Sequence, residues 1–397
     1  MRVITDIHLH SKWSRSCSPD LTLPNIARMC EIKGVNLVGT ADALHPAWRK
    51  DIALLLQDAG EGTFALKKDI SKTRFILSTE ISCIYKKNDK VRRIHHILLF
   101  PTLRALDIFT ISLNKRECNL RSDGRPIVGL TSEEILKYLL DADPSCMLIP
   151  AHAWTPWYAI FGSKSGFDSI QECFGDLSKY IYAIETGLSS NPKMNRRLSQ
   201  LDSMFLVSNS DAHSCENIGR EANVFEMSKS SYTELFEILS THQTKKFLET
   251  YEFFPEEGKY FADGHAMCNF FCNPSETKKL QGICPICKKK LIIGVQSRVE
   301  ELADRKFLTS ETPFRSFIPL PEIISYTQGV NKKSVKVKRI LEDIRTCKKS
   351  EFDILLHASE TELKKIIPTE VVKMILHIRL QKINWQPGYD GVYGKII

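Results

Sequence analysis

The 397-residue sequence has no apolar run long enough to cross a membrane and no basic-then-apolar stretch at its start. A membrane-spanning helix needs about 20 predominantly apolar residues, and a secretory signal needs a basic segment followed by an apolar one. We therefore expect a cytoplasmic protein that neither binds membranes nor is exported. Internal repeats and long low-complexity tracts are also absent, which excludes repeat architectures.

The sequence also lacks the composition of a disulfide scaffold. Its twelve cysteines are diluted over a long chain, and two of them form a CxxC motif. Disulfide-dense proteins are small and secreted, so we expect reduced thiols and one cysteine-containing metal site. The length predicts two or three domains. We expect a monomer.

The first two thirds of the chain carry no excess of positive charge. Residues 1–263 contain 32 Lys and Arg against 33 Asp and Glu, whereas residues 264–397 contain 23 against 14. Such asymmetry is typical of a protein that binds a polyanion, with nucleic acid as the first candidate. A solvated lysine-rich surface is the alternative.

Short apolar runs alternate with amphipathic stretches up to about residue 250, which predicts an α/β fold built from parallel βα units. A helix is expected over Thr131–Ala142 because Thr131 or Ser132 can cap it and two glutamates follow. Gly258–Asp263 has the composition of a boundary. We therefore divide the chain into domains at 1–255, 256–298 and 299–397. The predicted strands are Val3–Leu9, Leu37–Thr40, Phe75–Ile84, His96–Phe100, Cys146–Ala151, Ala183–Glu185 and Phe205–Ser208.

The stretch TDIHLHSKWS at residues 5–14 places Asp6, His8 and His10 at two-residue spacing in an apolar, β-branched context. Residues two apart on a strand point to the same face. We therefore expect the three side chains to project together, which is a poor core and a good part of a metal site. Three satisfied polar residues on an exposed face are the alternative.

Comparable polar residues follow or interrupt most of the other predicted strands. Because strand ends converge in parallel α/β folds, we expect these residues to meet. Each residue alone has a structural explanation, but together they indicate one metal site; we interpret His95 as a supporting residue. The set comprises Asp42, His45, Glu80, His95, His96, His152, Glu185, Asp211 and His213.

Imidazole and carboxylate ligands suit Zn²⁺, Mn²⁺ or Mg²⁺. A carboxylate such as Glu80 can bridge two metals, and metals about 3.5–4 Å apart can drive phosphoester displacement. The sequence has no P-loop, no GxSxG elbow and no obvious Cys–His nucleophile motif. Hydrolysis by metal-bound water is therefore the simplest chemistry to expect.

In their order along the chain, DIHLHS, TADALH, Glu80, His96, His152 and SNSDAH resemble the PHP (polymerase and histidinol phosphatase) family. This resemblance implies a distorted (β/α)₇ barrel, two or three divalent metals and phosphoesterase chemistry. The family pattern places a histidine directly after the aspartate of the second motif. Here the sequence is TADALH, which leaves open whether Asp42 or His45 is the ligand.

Eight stretches spread along nearly the whole chain carry a more specific resemblance: GTADALHPAW, LIPAHAWTPW, IETGLSSNPKMNRRLSQLD, LVSNSDAHS, GHAMC, GICPICKKKL, RVEELADR and PGYDGVYGK. They resemble the endonuclease Q family of PHP-domain DNA repair enzymes. The resemblance implies cleavage of DNA 5′ to uracil, hypoxanthine, xanthine and abasic sites, leaving a 3′-hydroxyl. We expect His8, His10, Glu80 and Asp211 to be catalytic, with Asp42, His45, His96, His152 and His213 as further metal ligands.

Two other function classes stay open at this point. One is a small-molecule phosphatase of the histidinol-phosphate type, which would not need the cysteine segment or the basic tail. The other is a non-catalytic nucleic-acid-binding accessory protein with a degenerate barrel. Intact candidate ligands at every motif disfavour the second class.

The segment GHAMCNFFCNPSETKKLQGICPICKKKL contains the pairs His265/Cys268 and Cys284/Cys287. Two short pairs of sulfur and nitrogen ligands suit tetrahedral structural zinc, and zinc would keep a segment with little core folded. Cys272 could replace His265 as the fourth ligand. A redox CxxC is a further alternative.

The C-terminal part reads as basic and helical. Residues 332–349 combine an apolar side with many lysines and arginines, which suits either DNA phosphates or a solvated helix face. Trp385 and the GYDGVYG stretch could present aromatics to a base or only pack the terminus. Candidates for lining a base pocket are Trp13, Trp48, Trp154 and Trp157.

Overall fold

The computed structural model describes residues 1–68, 71–306 and 312–397. Its strands are β1 Arg2–Asp6, β2 Leu37–Gly39, β3 Leu56–Gly60, β4 Thr63–Leu66, β5 Arg74–Lys87, β6 Lys90–Phe100, β7 Ile127–Val128, β8 Met147–Pro150, β9 Ala183–Glu185, β10 Phe205–Val207, β11 Ala222–Glu226, β12 Phe247–Glu252, β13 Asp263–His265, β14 Phe270–Cys272, β15 Phe314–Ser316, β16 Trp385–Gln386 and β17 Lys395–Ile396. Its α-helices are α1 Leu23–Lys33, α2 Pro46–Leu55, α3 Leu103–Lys115, α4 Ser132–Ala142, α5 Ile170–Phe174, α6 Pro192–Asn195, α7 Tyr232–Ser240, α8 Pro274–Lys279, α9 Val295–Leu302, α10 Leu320–Gln328, α11 Val335–Arg345, α12 Glu360–Leu363 and α13 Thr369–Arg379.

One large sheet organises the first part of the chain, and its strands are only partly parallel. β1, β2 and β5 are parallel neighbours, and β9 and β10 form a separate parallel pair. However, β11 and β12 continue the sheet antiparallel beside β1. The expectation of parallel βα units therefore holds for part of the sheet, and the fold is mixed α/β.

The long hairpin of β5 and β6 accounts for most of the difference. The predicted strands at 75–84 and 96–100 are its two arms, paired antiparallel from Leu77–Phe100 to Lys87–Lys90. Asn88 and Asp89 form its turn with φ values of 53° and 56°. Positive φ at both central residues matches the right-handed twist of the strands, so the chain reverses here instead of crossing over through a helix.

The helix expected over residues 131–142 is confirmed as α4. Thr131 caps it, and its side chain accepts a hydrogen bond from the backbone of Glu134. The Glu134 side chain accepts in return from the backbone of Thr131. This reciprocal pair satisfies two otherwise orphaned donors at the helix start.

The C-terminal segment packs against the first part of the chain rather than standing apart. β15 extends the large sheet by pairing with β12. Lys33 of α1 and Glu351 form a buried ion pair at 2.9 Å, and the rings of Phe352 and Tyr251 lie 4.8 Å apart. Residues distant in sequence therefore share one hydrophobic core.

Within the described ranges, the structure contains no helix that is both long and apolar enough to span a bilayer.

Candidate metal centre

His8 and His10 lie in the loop that leaves the end of β1. The strand stops at Asp6 rather than continuing to Leu9 as predicted. The Asp6 carboxylate accepts hydrogen bonds from the backbone N–H groups of Ser210 (3.1 Å) and Gly219 (2.9 Å). Asp6 therefore secures the loop after β10 and does not join the two histidines, contrary to the expectation that all three project together.

A first group of potential ligands consists of His8, His10, Glu80 and Asp211, whose ligand atoms all lie within 4.8 Å of one another. His10 Nε2 is 3.1 Å from Asp211 Oδ1 and 3.2 Å from Glu80 Oε2. His8 Nε2 is 3.6 Å from Glu80 Oε1. Two nitrogens and two carboxylates at this spacing match a site for a divalent metal.

A second group shares the carboxylate of Glu80. His95 Nδ1 lies 2.8 Å from Glu80 Oε1, and His152 Nε2 lies 3.2 Å from the same atom. The ligand atoms of Glu80, His95 and His152 are likewise mutually within 4.8 Å. A carboxylate common to two ligand groups is the arrangement expected of a bridge between two metals.

His96 does not reach this cluster, which corrects its predicted role as a ligand. In the β5–β6 pair, His95 is opposite Ser82 and His96 is opposite Ile81. Since adjacent strand residues point to opposite faces, His95 faces the cluster and His96 faces away. The Nε2 atom of His96 instead lies 2.8 Å from Ser132 Oγ.

Asp42 lies directly behind His10. Its Oδ1 is 3.4 Å from His10 Nδ1, and its Oδ2 accepts hydrogen bonds from the hydroxyls of Ser11 and Ser14. A carboxylate in this position fixes the tautomer and orientation of the imidazole. Asp42 is therefore placed to support a ligand, and it belongs to neither group of potential ligands found among the described residues.

His45 and His213 are also outside both groups. His45 Nε2 lies 3.3 Å from the carbonyl of Arg121, and its ring stacks on Trp13 at 4.9 Å. His213 lies beside the cluster, with its ring centroid 4.4 Å from that of His10. Its Nδ1 donates to the carbonyl of Asp211 at 2.9 Å. Of the two, only His213 is within a small movement of the first group.

Glu185 and Arg125 contact the cluster; the sequence placed Glu185 among the polar residues at strand ends but not among the metal ligands, and it did not indicate Arg125. Glu185 lies 3.0 Å from His8 Nδ1 and accepts a 2.9 Å hydrogen bond from Asn209. Its position at the end of β9 was the signal available in the sequence. Arg125 donates to Glu80 Oε2 at 3.0 Å, and it lies in a loop where the sequence has no comparable signal.

The electrostatics of the cluster favour charged carboxylates. Burial alone would raise the pKa of Glu80, but attraction to His95, which is protonated in acid, and to the guanidinium of Arg125 holds it well below its usual range. Burial lowers the pKa of His95 to about 4. His95 is therefore a neutral imidazole near pH 7, which is the form that ligates metals.

The donor set fits divalent metal ions. His8 is 1% exposed, and its Nε2 atom has no hydrogen-bond partner although it is buried. An orphaned buried nitrogen is costly, and a metal bound between His8 and Glu80 would satisfy it. Mg²⁺ prefers sites made of oxygen donors alone. The mixture of nitrogen and oxygen donors found here therefore suits Zn²⁺ or Mn²⁺ better than Mg²⁺.

The cluster opens into a cavity of about 670 Å³. Asp211, His95 and His152 lie on its wall, together with the cations Arg125, Arg220 and Lys259. Of the four tryptophans proposed for a base pocket, Trp48 and Trp154 are buried in the core. Trp157 lines the cavity, and Trp13 stacks on His45.

A separate cluster joins His265, Cys268, Cys284 and Cys287, whose ligand atoms are within 4.8 Å of one another. The hairpin of β13 and β14 presents the first pair. Cys272 points elsewhere, with its Sγ 3.2 Å from Thr277 Oγ1. Three thiols and one imidazole form a set typical of tetrahedral structural zinc.

No protein-family profile matches the chain, but individual proteins do. The chain is 27% identical to the uncharacterised protein YqxK of Bacillus subtilis over 412 aligned positions, covering 100% of this chain and 99% of that one. The chain is also similar to the crystal structure of the lesion-specific endonuclease PfuEndoQ from Pyrococcus furiosus. The sequence identity is 31% and the TM-score is 0.88, and the match covers 100% of this chain and 95% of the other.

A second solved structure is endonuclease Q in complex with a 27-mer duplex that carries an abasic lesion at the active site. The match has a TM-score of 0.89 and 31% identity, and it covers 100% of this chain and 96% of the other. The similarity in sequence and in backbone shape thus extends over 100% of this chain and over 95% and 96% of the two solved chains. The resemblance noted in the sequence is thereby confirmed, and the chain belongs to the endonuclease Q family.

Proposed function

We propose that this protein is a metal-dependent DNA repair endonuclease. It hydrolyses the phosphodiester 5′ to uracil, hypoxanthine, xanthine and abasic sites and leaves a 3′-hydroxyl. The observation that carries the proposal is Glu80, a buried carboxylate shared by two groups of potential metal ligands. Three members of these groups, Asp211, His95 and His152, line an open cavity. Membership of the endonuclease Q family supports it, since one member was solved on a duplex with an abasic lesion.

The proposed layout assigns residues 1–255 to a PHP-type distorted barrel, 256–298 to a zinc-binding domain and 299–397 to a basic helical domain that binds DNA. The mixed sheet around β1, β2 and β5 supports the first assignment. The four-ligand cluster supports the second. The basic charge of the last segment supports the third because lysines and arginines bind phosphates without regard to sequence.

We assign the catalytic metals to His8, His10, Glu80, His95, His152 and Asp211, with His213 as a further candidate. Divalent ions in such sites activate water and neutralise developing charge on a phosphodiester. The chain's own contribution is orientation: Asp42 holds His10, and Glu185 holds His8. The guanidinium of Arg125 adds a positive charge to the cavity wall beside Glu80.

Lesion selectivity follows from the cost of unpairing. A deaminated or missing base pairs weakly, so extruding that nucleotide into a cavity costs less than extruding a normal one. The cavity of about 670 Å³ beside the cluster is large enough for a nucleotide. Its wall carries polar groups such as Asn217 and Ser189, which could read a base edge.

The test uses end-labelled duplexes that contain one uracil, one hypoxanthine, one abasic site or no lesion. Purified protein is incubated with each in Mn²⁺, Mg²⁺ or Zn²⁺ and in EDTA, beside Glu80→Gln and the control Glu226→Gln. Glu226 is an exposed glutamate at the end of β11, outside the cavity lining. We expect a nick 5′ to the lesion only with metal, lost in Glu80→Gln and retained in the control.

A protein that cuts none of these duplexes but hydrolyses a small phosphomonoester would be a metabolite phosphatase instead. A protein that binds lesion DNA tightly without cutting it in any metal would be an accessory module. Either result would refute the proposed function.

A further inference from the structure

The GYDGVYG stretch near the C-terminus is docked along the rim of the catalytic cavity. Backbone hydrogen bonds run from Gly388 to Glu256 (2.7 Å), from Gly391 to Lys259 (2.9 Å) and from Gly394 to Glu257 (3.0 Å). A Cβ atom at Gly388 or Gly394 would collide with the facing backbone. The close approach therefore requires glycine at both ends of this turn, and it fixes the residues between them.

The three aromatic residues of this region have different surroundings. Tyr389 is buried, stacks on Phe271 at 5.0 Å and donates to Asn269 Oδ1 at 2.6 Å. Trp385 packs against Phe254 at 5.4 Å. Both are explained by packing of the terminus. Tyr393 is 59% exposed and lines the catalytic cavity, so packing does not explain it.

Tyr393 is part of a small group at the cavity mouth. Lys259 Nζ lies 5.7 Å from the ring centroid of Tyr260 and 5.9 Å from that of Tyr393. Trp157 meets Tyr260 edge-on at 6.0 Å. All four residues line the same cavity as Asp211 and His152. The group thus combines aromatic faces with an exposed cation next to the candidate metal centre.

We propose that Tyr260, Tyr393 and Lys259 form a subsite for the nucleotide that flanks the extruded lesion beside the scissile phosphate. The base stacks on a tyrosine ring, and Lys259 contacts the adjoining phosphate. This inference rests on the proposed function. Every base has a π-face, so aromatic platforms hold single-stranded nucleotides irrespective of sequence. Extruding a lesion leaves its neighbour without a stacking partner, and the tyrosines replace the lost stack.

The first test measures the affinity of the full-length protein for a duplex with one abasic site in Ca²⁺, by fluorescence anisotropy. We expect Tyr393→Ala to weaken binding about 10-fold, which is the size of one base–aromatic stacking contact. Tyr393→Phe keeps the ring and should bind like the wild type. Tyr180→Ala removes a tyrosine that also has a lysine over its ring, with Lys179 Nζ 5.3 Å from the ring centroid, but it lies outside both the cavity lining and the proposed DNA-binding segment and should leave the affinity unchanged.

The second test locates the stacked base. A 2-aminopurine is placed at each position flanking the lesion, and its fluorescence is read in the complex. Loss of the stacking ring should brighten the probe at one flanking position in Tyr393→Ala but not in Tyr393→Phe. Lys259→Gln should reduce the salt dependence of binding by about one phosphate contact.

The outcomes separate the two proposals. Wild-type nicking with unchanged affinity and unchanged probe fluorescence in Tyr393→Ala would overturn the subsite and leave the endonuclease intact. Equal losses in Tyr393→Ala and Tyr393→Phe would also overturn it, because stacking does not need the hydroxyl. Binding that depends on the ring, in a protein that never nicks, would support the subsite while refuting the endonuclease.

Discussion

Glu80 is the residue on which the candidate centre depends, because groups from several elements meet at its carboxylate. His95 and His152 contact one oxygen, while His10 and Arg125 contact the other. No neighbour in sequence supplies these contacts. The side chain lies on the inner face of the β5–β6 hairpin. This placement puts the one acid of an apolar strand where it can bridge the two groups of ligands.

The pair His95 and His96 gives a direct test of side-chain direction. We expect His95→Ala to lose bound metal and at least about 100-fold in nicking, as is typical when a ligand or its support is removed. His96→Gln should keep both and lose only about 1 kcal/mol of stability through its hydrogen bond with Ser132. Metal content by mass spectrometry and thermal unfolding would distinguish them. Metal loss only in the His96 variant would contradict the assignment.

Glu252 is a buried carboxylate outside the metal cluster, and it makes stability depend on pH. Burial raises its pKa from 4.5 to about 7, and the pKa of nearby Glu221 is raised as well. The folded state therefore binds more protons than the unfolded state between pH 4.5 and 7. Stability contributed by this group is present at low pH and is lost as pH rises through that window.

We accordingly expect the wild type to lose thermal stability from pH 5 to pH 8. Glu252→Gln carries no titrating proton there, and its amide oxygen can still accept a hydrogen bond from one of the two threonine hydroxyls that now donate to Glu252, those of Thr186 and Thr250. The stability of this variant should change less with pH than that of the wild type. At pH 8 the variant should be more stable than the wild type, by on the order of 1 kcal/mol. Parallel melting curves for the two proteins across the range would contradict this.

Among the elements, the β13–β14 hairpin with its following loop has little core of its own. Its small apolar cluster consists of Cys272, Cys284 and Leu291 with a few partly buried neighbours. A segment of this size needs a metal or another cross-link to hold its shape. The four-ligand cluster lies at its centre.

We predict that Cys284→Ser releases one zinc and makes residues 263–291 sensitive to protease. Cys272→Ser is the matched control because Cys272 faces Thr277 and not the cluster, so it should retain zinc and resistance. Zinc content and limited proteolysis of both variants provide the measurement. Zinc retained in Cys284→Ser and lost in Cys272→Ser would favour a different ligand set.

At the scale of the whole molecule, the ion pair of Lys33 and Glu351 links α1 to the C-terminal segment. Both side chains are buried, and Glu351 also accepts from the backbone of Leu320 at 3.0 Å. Removing one partner leaves the other as an unpaired buried charge. Such losses cost about 3–5 kcal/mol, whereas replacing both partners by apolar groups is often neutral.

Glu351→Ala should therefore destabilise the protein by about 3 kcal/mol, and Lys33→Met combined with Glu351→Leu should recover most of that loss. Urea unfolding, followed by tryptophan fluorescence and by circular dichroism, gives the free energies. Because the ion pair joins distant segments, we expect the two probes to report one transition. Two separate transitions in the wild type would show that the segments unfold independently.

The sequence by itself determined the elements whose signals are local. α4 begins directly after its cap Thr131 because a capping box is a four-residue pattern. β9 coincides with its prediction because Ala183–Glu185 is an apolar run with an acid at its end. The His and Cys pairs of residues 265–287 and most of the candidate ligands could be selected in the same way. The function class was predicted from the stretches of sequence that resemble the endonuclease Q family.

Only the tertiary structure decided which of these residues meet. Whether His95 or His96 faces the cluster depends on the register of β5 and β6, and a shift of one residue would exchange them. Several other contacts join residues that are far apart in sequence. They are the support from Asp42 and Glu185, the contact of Arg125 with Glu80 and the position of Tyr393 at the cavity mouth. Such contacts arise from packing, which periodicity along the chain does not encode.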